Sequence, residues 1–201
     1  MTGSKIAVIS VWLLGKFRVE VLKEDGTGEV LPAKVWGGGY ARPLFKRLLC
    51  ATGRRATRST LIDQIWLEGR SDEEKESREQ QAEDYLTESA SRLRNIFGTK
   101  EIIQTLSGGY ELAGPSLLQT DIDGCKQLMT QVERGGLSKA HAISLLETIK
   151  KYFERGGMLE GENGAWCFAF RARQEKTMHY CSILLAEAYE QENRFWQAQE
   201  Q

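Results

Sequence analysis

A short apolar run at residues 8–14, followed by alternating apolar and polar residues, opens the chain. It predicts strands over residues 8–14 and 17–21, and a short strand at Val30-Leu31. Gly15 and the sequence Asp25-Gly26-Thr27-Gly28 separate these strands and are typical of turns. The chain is therefore expected to begin with β-structure.

After the glycine run at residues 37–39, apolar residues recur with the period of a helix. Helices are predicted over residues 41–51, from Ser59 or Thr60 as the cap to Trp66, and over residues 82–97. The third helix has one apolar face, formed by Leu86, Ala90, Leu93 and Phe97. Gly98 ends it, and residues 102–112 then predict two short strands around a glycine turn.

The segment between the second and third helices is polar and acidic. Residues 68–81 carry no apolar stripe that would face a core. They fit either a mobile loop or the solvated beginning of the next helix, and the pattern does not separate the two.

A change of pattern after Gly114-Pro115 marks the predicted domain boundary, with one domain over residues 1–114 and a second, all-α domain over residues 115–201. The second domain is predicted to contain a helix capped by Asp121, a helix from Ser138 to Phe153, a long helix from about Arg171 to Gln191, and the beginning of another helix from Asn193. Helical hairpins interrupted by glycine pairs indicate tetratricopeptide-like packing. Because the chain stops as a helix begins, we expect a fragment of a longer protein.

Composition and missing motifs narrow the class of protein. The 201 residues are 41% hydrophobic and 27% charged, as in ordinary globular proteins. No apolar run reaches the length of about 18 to 20 residues that a membrane helix needs, and four dispersed cysteines fit a reducing compartment, so a cytoplasmic protein is expected. The sequence has no Gly-x-Ser-x-Gly, His-Glu-x-x-His or phosphate-loop motif and no metal-ligand spacing, so no catalytic residue, metal or cofactor is predicted.

Two arginines near the end of the third predicted helix suggest a partner. A short helix, a connection, an amphipathic helix with Arg92 and Arg94, and then a β-hairpin form the layout of a winged helix-turn-helix. Arginine binds phosphate or reads guanine in the major groove, and a hairpin can contact the DNA backbone. DNA is therefore the leading candidate, although a net charge of −1 provides no general attraction to it.

The order of the motifs resembles a known bacterial family. Residues 12–112 are similar to the winged-helix effector domain of OmpR/PhoB-type response regulators in Leu13-Leu14-Gly15-x-Phe17, residues 61–66, Ser91-Arg92-Leu93-Arg94 and Gly109-Tyr110-Glu111-Leu112. With no receiver domain ahead of it, the chain resembles the Streptomyces antibiotic regulatory protein (SARP) family, in which this domain precedes an all-α, tetratricopeptide-like bacterial transcriptional activation domain. The second half carries that likeness in Thr120-Asp121, residues 142–146, Tyr152-x-x-x-Gly156-Gly157-x-Leu159, Trp166 and Ala186-x-x-Tyr189.

The resemblance implies a function and the residues that perform it. The third helix would enter the major groove and contact bases or phosphates through Tyr85, Ser89, Arg92 and Arg94. The DNA backbone would be anchored by Arg58, Thr60, Ser107 and Gly108. The connection before the third helix would face RNA polymerase, with candidate contacts at Glu68, Asp72, Glu73 and Glu74. Such a protein is an activator that binds promoter direct repeats as a dimer or larger assembly, without a cofactor or a membrane.

Two features depart from the family pattern. On the groove-facing side of the third helix, Asp84 and Glu88 are acidic, and Asn95 stands where such helices often have a basic residue. The connection at residues 68–81 is longer and more acidic than expected. A second hypothesis is therefore a protein-interaction module whose winged helix has lost DNA binding. A steep salt dependence of duplex binding distinguishes the two, because phosphate neutralisation produces it. An enzyme is the least favoured class.

Overall fold

The computed structural model describes residues 5–191, and the helix predicted from Asn193 lies outside them. The elements in chain order are β1 (Ile6–Trp12), β2 (Arg18–Lys23), β3 (Gly28–Val30), α1 (Ala41–Leu49), β4 (Arg55–Thr57), α2 (Arg58–Ile65), α3 (Asp72–Phe97), β5 (Ile103–Leu106), β6 (Gly109–Leu112), β7 (Leu118–Thr120), α4 (Asp121–Arg134), α5 (Lys139–Phe153) and α6 (Ala165–Gln191). The N-terminal part mixes strands and helices and the C-terminal part is helical, so this coarse prediction is confirmed.

The strands form two small sheets. One has the order β3-β2-β1-β7, and the other has the antiparallel order β4-β6-β5. The predicted hairpin is β5–β6, whereas β4 was not predicted because three residues are too few to show a period.

The chain divides into two compact units, each assembled from three segments. The first unit contains the N-terminal residues up to Ser10, Val19–Gln119 and Glu162–Phe168. The second contains Val11–Arg18, Thr120–Gly161 and the residues from Ala169 onward. The domain boundary after residue 114 stays a prediction.

The core of the first unit is built on the predicted apolar face of α3. Leu86, Ala90, Leu93 and Phe97 are all at most 1% exposed, so this face is confirmed. Phe97 belongs to an aromatic cluster in which its ring centroid lies 5.3 Å from that of Phe45 and 6.0 Å from that of Trp36. These contacts fix the rotation of α3 about its axis and therefore which side chains point away from the core.

Helix α3 begins within the acidic segment. Ser71 and Glu74 form a capping box, in which each side chain accepts a hydrogen bond from the other residue's backbone N–H. Acids in the first turn are favoured there by the helix dipole. From Asp72 onward the segment is therefore helix, and both the loop alternative and the long acidic connection are wrong for these residues.

The second unit packs α4, α5 and α6 around a separate core. Its buried members are Cys125, Met129, Ile143, Leu146, Ile149, Cys181, Leu185 and Tyr189. Burial raises the pKa of the Cys125 thiol to about 12 and that of Cys181 to about 11. All four cysteines are buried, and none of them forms a disulfide with another.

Two predicted helix starts in the second half are wrong. Thr120 caps α4 in a capping box with Asp123. The carboxylate of Asp121 instead accepts hydrogen bonds from the backbone N–H groups of Leu13 and Leu14, more than 100 positions earlier. Helix α6 begins at Ala165 and not near Arg171.

No helix within residues 5–191 is long and apolar enough to cross a membrane. The same residues contain no cluster of three or more His, Cys, Asp or Glu side chains able to hold a metal ion.

Candidate nucleic-acid interface

Threonine and serine hydroxyls surround the N-terminus of α2. The Thr57 hydroxyl accepts a hydrogen bond from Thr60 N (3.2 Å), so Thr57 is the cap, and the prediction of Ser59 or Thr60 as the cap is wrong. The same hydroxyl donates to Thr60 Oγ1 (2.8 Å) and lies 3.1 Å from Ser59 Oγ. We call these three residues the α2 hydroxyl cluster. It adds donors to the positive end of a helix dipole, an arrangement that suits an anion such as phosphate.

Arg58 joins three elements of the first unit. Its guanidinium donates to Glu83 Oε2 on α3 (2.6 Å) and to the Tyr110 hydroxyl on β6 (3.1 Å), and it lies 5.2 Å from the centre of the Tyr110 ring. The hydrogen bond to Glu83 raises the pKa of Arg58 above its ordinary value. Arg58 was predicted as a DNA backbone anchor, and the structure gives it partners within the chain.

Arg94 connects α3 to the hairpin. Its Nε donates to the Ile103 carbonyl (3.1 Å), and one Nη donates to Thr105 Oγ1 (3.0 Å). Both acceptors lie on β5. The guanidinium therefore sets the distance and angle between α3 and the hairpin, and it has fewer donors left for DNA.

Arg92 lies one turn from the end of α3 against the glycine run. A Cβ added at Gly37 would approach Arg92 Nη2 to less than 3.0 Å, a separation that real side chains do not show. The Nε of Arg92 is buried and has no hydrogen-bond partner within the part of the chain that the structure describes. The guanidinium therefore lies against the Gly37 backbone, and no ion pair of Arg92 is found within residues 5–191.

The two remaining predicted contacts on α3 differ in exposure. Ser89 is only 5% exposed, so it offers little surface to a partner, and its contact with DNA stays a prediction. Tyr85 is half-buried; its hydroxyl accepts from Gln81 Nε2 (2.9 Å), and its ring centroid lies 5.5 Å from that of Tyr40. Tyr40 is 40% exposed and was not predicted, since it follows a glycine run that indicated only a turn.

The hairpin tip is fixed to the start of α2. Gly108 has φ +84°, and its carbonyl accepts a hydrogen bond from Arg58 N (2.9 Å). On the neighbouring position, a Cβ at Gly109 would lie less than 3.0 Å from the Ala56 carbonyl oxygen, so β4 and β6 approach each other as only glycine allows. A groove of about 500 Å³ runs beside the tip and is lined in part by Arg55, Ser107 and Gly108.

Two of the four predicted polymerase contacts have a role inside the chain. Glu68 Oε1 accepts from Ala165 N (2.6 Å) at the beginning of α6, which explains why that helix starts earlier than predicted. Glu74 belongs to the capping box of α3. Asp72 and Glu73 are exposed in the first turn of that helix.

The charge on α3 opposes DNA binding along most of its length. The helix contains eight acidic and four basic residues. Its basic residues near the hairpin are Arg92 and Arg94, whereas Asp84 and Glu88 lie exposed one to three turns earlier. Within the described part of α3, the last turns around Arg92 and Arg94 are the part that suits a phosphate backbone, together with the hairpin tip and the α2 hydroxyl cluster.

No protein-family model matches the chain, and no curated protein is significantly similar to it in sequence. The fold is similar to that of Mycobacterium tuberculosis EmbR, solved in complex with a low affinity phosphopeptide, with a TM-score of 0.66 and 17% sequence identity. The match covers 92% of this chain and 46% of the EmbR chain, so the chain spans less than half of that protein's length. The chain therefore shares the fold of the corresponding part of EmbR.

Proposed function

We propose that the chain is a sequence-specific, DNA-binding transcription regulator of the SARP type. Residues 1–114 form an OmpR/PhoB-type winged helix-turn-helix, and residues 115–201 form a tetratricopeptide-like transcriptional activation domain. One observation carries the proposal: α2, α3 and the β5–β6 hairpin are tied together by Arg58 and Arg94. A groove-reading helix needs such a fixed relation to its wing, because phosphate contacts set the register of the base contacts. The fold shared with EmbR over 92% of the chain supports it.

The DNA-contacting residues follow from which groups have donors to offer. In the proposal, Arg92 and Tyr85 face the major groove from the C-terminal half of α3. Phosphates bind at the hairpin tip, Ser107-Gly108, and at the α2 hydroxyl cluster, which includes Thr60. Arg58 and Arg94 are positioning residues, because their guanidinium groups are engaged within the chain.

The proposed regulator is an activator that binds promoter direct repeats as two or more protomers. Asp72 and Glu73 are the proposed polymerase contacts, since both are exposed on the first turn of α3 and neither belongs to its capping box. Their charge suits a basic surface on the polymerase.

The decisive experiment compares two arginines on the same helix. A duplex is first selected from a random pool with the full chain, and binding is then measured by fluorescence anisotropy. We expect Arg92→Ala to weaken binding by about 1–3 kcal/mol if Arg92 reads a base. Arg78→Ala is the matched control: it removes the same charge from an exposed position about 21 Å away along the helix, and it should leave affinity unchanged.

Salt provides the second arm of the experiment. The logarithm of the association constant should fall linearly with the logarithm of salt concentration, with a slope near −0.9 per phosphate neutralised. If no duplex is enriched, or if Arg92→Ala and Arg78→Ala bind equally well, the DNA role of α3 is refuted.

The second candidate is a protein-interaction module whose winged helix has lost DNA binding. The excess of acid on α3 and the internal engagement of Arg58 and Arg94 favour it. It predicts no salt-dependent duplex binding, together with binding to a basic protein surface that Asp72→Asn and Glu73→Gln weaken.

A further inference from the structure

A cavity of about 560 Å³ lies within the second unit. All of its lining residues belong to that unit, including Leu14, Phe153, Met158 and Met178. The volume falls within the range of about 300 to 1,000 Å³ that is typical of small-molecule sites.

The wall of the cavity is a loop held in an unusual backbone conformation. Leu159 has φ +48°, a left-handed value that costs a non-glycine residue energy unless neighbouring contacts hold it. Arg171 supplies these contacts: its Nε donates to the Met158 carbonyl (2.9 Å), and one Nη donates to the Leu159 carbonyl (2.8 Å). The Leu159 N–H in turn donates to the Leu13 carbonyl (2.7 Å). Hydrogen bonds from Arg171 and to Leu13 therefore hold the loop that forms one side of the cavity.

The charged groups that remain available to a ligand in this cavity are negative. The only cation among its lining residues, Arg171, donates to backbone carbonyls. Glu160 and Glu175 are exposed at the edge, and neither forms an ion pair within residues 5–191. Gln174, only 7% exposed, adds a neutral amide. An apolar floor with two carboxylates at its edge complements an apolar cation and repels an anion.

The geometry points to a binding site for a small organic cation, an amine or guanidine attached to an apolar body. The apolar body would pack among Leu14, Phe153 and the two methionines, and the charged group would lie between Glu160 and Glu175. Occupation would attach the loop around Leu159 to α6, so that a ligand would stabilise the second unit by mass action. This inference goes beyond the proposed DNA-binding function and does not depend on it.

The methionines make the site directly observable. The chain has four methionines, and the full chain is labelled with ¹³C in the methionine methyl groups. Phenethylammonium, 3-phenylpropanoate and 2-phenylethanol are then titrated separately, since they share an aromatic body and differ in charge. Aromatic ring currents report the approach of the ligand to Met158 and Met178, and Met129 in the helical core serves as an internal control.

We expect phenethylammonium to shift the Met158 and Met178 signals saturably, with a dissociation constant about tenfold lower than that of the neutral alcohol. The anion should bind more weakly still. The double substitution Glu160→Gln/Glu175→Gln should abolish the difference in affinity between the cation and the alcohol. The single substitution Glu175→Gln should reduce this difference. Glu187→Gln, an exposed position on the same helix about 18 Å from Glu175, should leave it unchanged.

The inference would be overturned by equal binding of all three ligands, by shifts of Met129 as large as those of Met158 and Met178, or by the absence of any saturable shift. A preference for the anion would also do so, because it would mean that the two carboxylates do not set the charge of the site.

Discussion

The glycine pair at the hairpin tip leads to a sharp prediction, because its two members are required for different reasons. At Gly109 the obstacle is space: a Cβ would lie less than 3.0 Å from the Ala56 carbonyl oxygen and 3.1 Å from Thr57 Cα, both of them backbone atoms. At Gly108 there is open space, but φ is +84°. Gly114 has neither constraint and serves as the control.

The cost of Gly109→Ala can be worked out from the register. Ordinary contact begins at 3.4 Å, so β4 and β6 must separate where Thr57 pairs with Gly109 and Ala56 with Tyr110. Weakening two backbone hydrogen bonds costs about 1 kcal/mol each, and the overpacking adds about 1–3 kcal/mol, so a loss of about 3–5 kcal/mol is expected. Gly108→Ala should cost about 1–2 kcal/mol through its left-handed backbone, and Gly114→Ala should be neutral or slightly stabilising.

Urea unfolding of the three variants, followed by tryptophan fluorescence, measures these differences. Duplex affinity measured on the folded variants should fall for Gly109→Ala, because the hairpin tip is attached to α2 through the Arg58 N–H. A Gly109→Ala free energy of unfolding within about 0.5 kcal/mol of the Gly114→Ala value would refute the reasoning, since changes of that size are ordinary for surface positions.

Three further predictions concern the second unit. Asp121→Ala should lower the free energy of unfolding by about 2–4 kcal/mol, because it leaves the buried N–H groups of Leu13 and Leu14 without an acceptor; a loss below about 0.5 kcal/mol in urea unfolding would contradict this role. At pH 8, iodoacetamide should leave Cys125 and Cys181 unmodified until the chain unfolds, because a pKa of about 11 leaves about one thiol in a thousand ionised. Mass spectrometry of labelled peptides measures this, and modification of either cysteine in the folded chain would contradict it. These pKa values exceed that of an unfolded cysteine, about 8.5. The two thiols therefore contribute fully to the free energy of unfolding below about pH 8.5, and that contribution is lost as the pH rises toward 11 and 12. In urea unfolding, substituting both with Ala should therefore reduce the fall in the free energy of unfolding at alkaline pH.

Local periodicity made several parts of the fold predictable from sequence. The apolar face of α3 repeats every three to four residues, and all four of its predicted members are buried. Gly98 adopts the left-handed conformation that ends the helix, and Ser138 caps α5 as its position before the apolar repeat indicates. Each of these features depends on residues within one or two turns of each other, so a single stretch of sequence contains the whole signal.

The candidate site depended on partners that no local pattern contains. Arginine at positions 58 and 94 predicted contact with DNA, yet their guanidinium groups bind Glu83, Tyr110 and the strand β5. Ser89 lies at the edge of the apolar face, where helical spacing alone does not decide burial, and packing buried it.

Sequence patterns alone were enough to predict the types of most helices and strands, the stripe that α3 buries, and the glycine positions where the chain turns. Three features became visible only in the folded chain: Asp121 accepts from Leu13 and Leu14, Glu68 accepts from the first residue of α6, and Val11–Arg18 belongs to the second unit. The physical reason is separation along the chain: periodicity reports which side of an element is apolar, whereas a hydrogen bond between residues about 100 positions apart exists only after folding has brought them together.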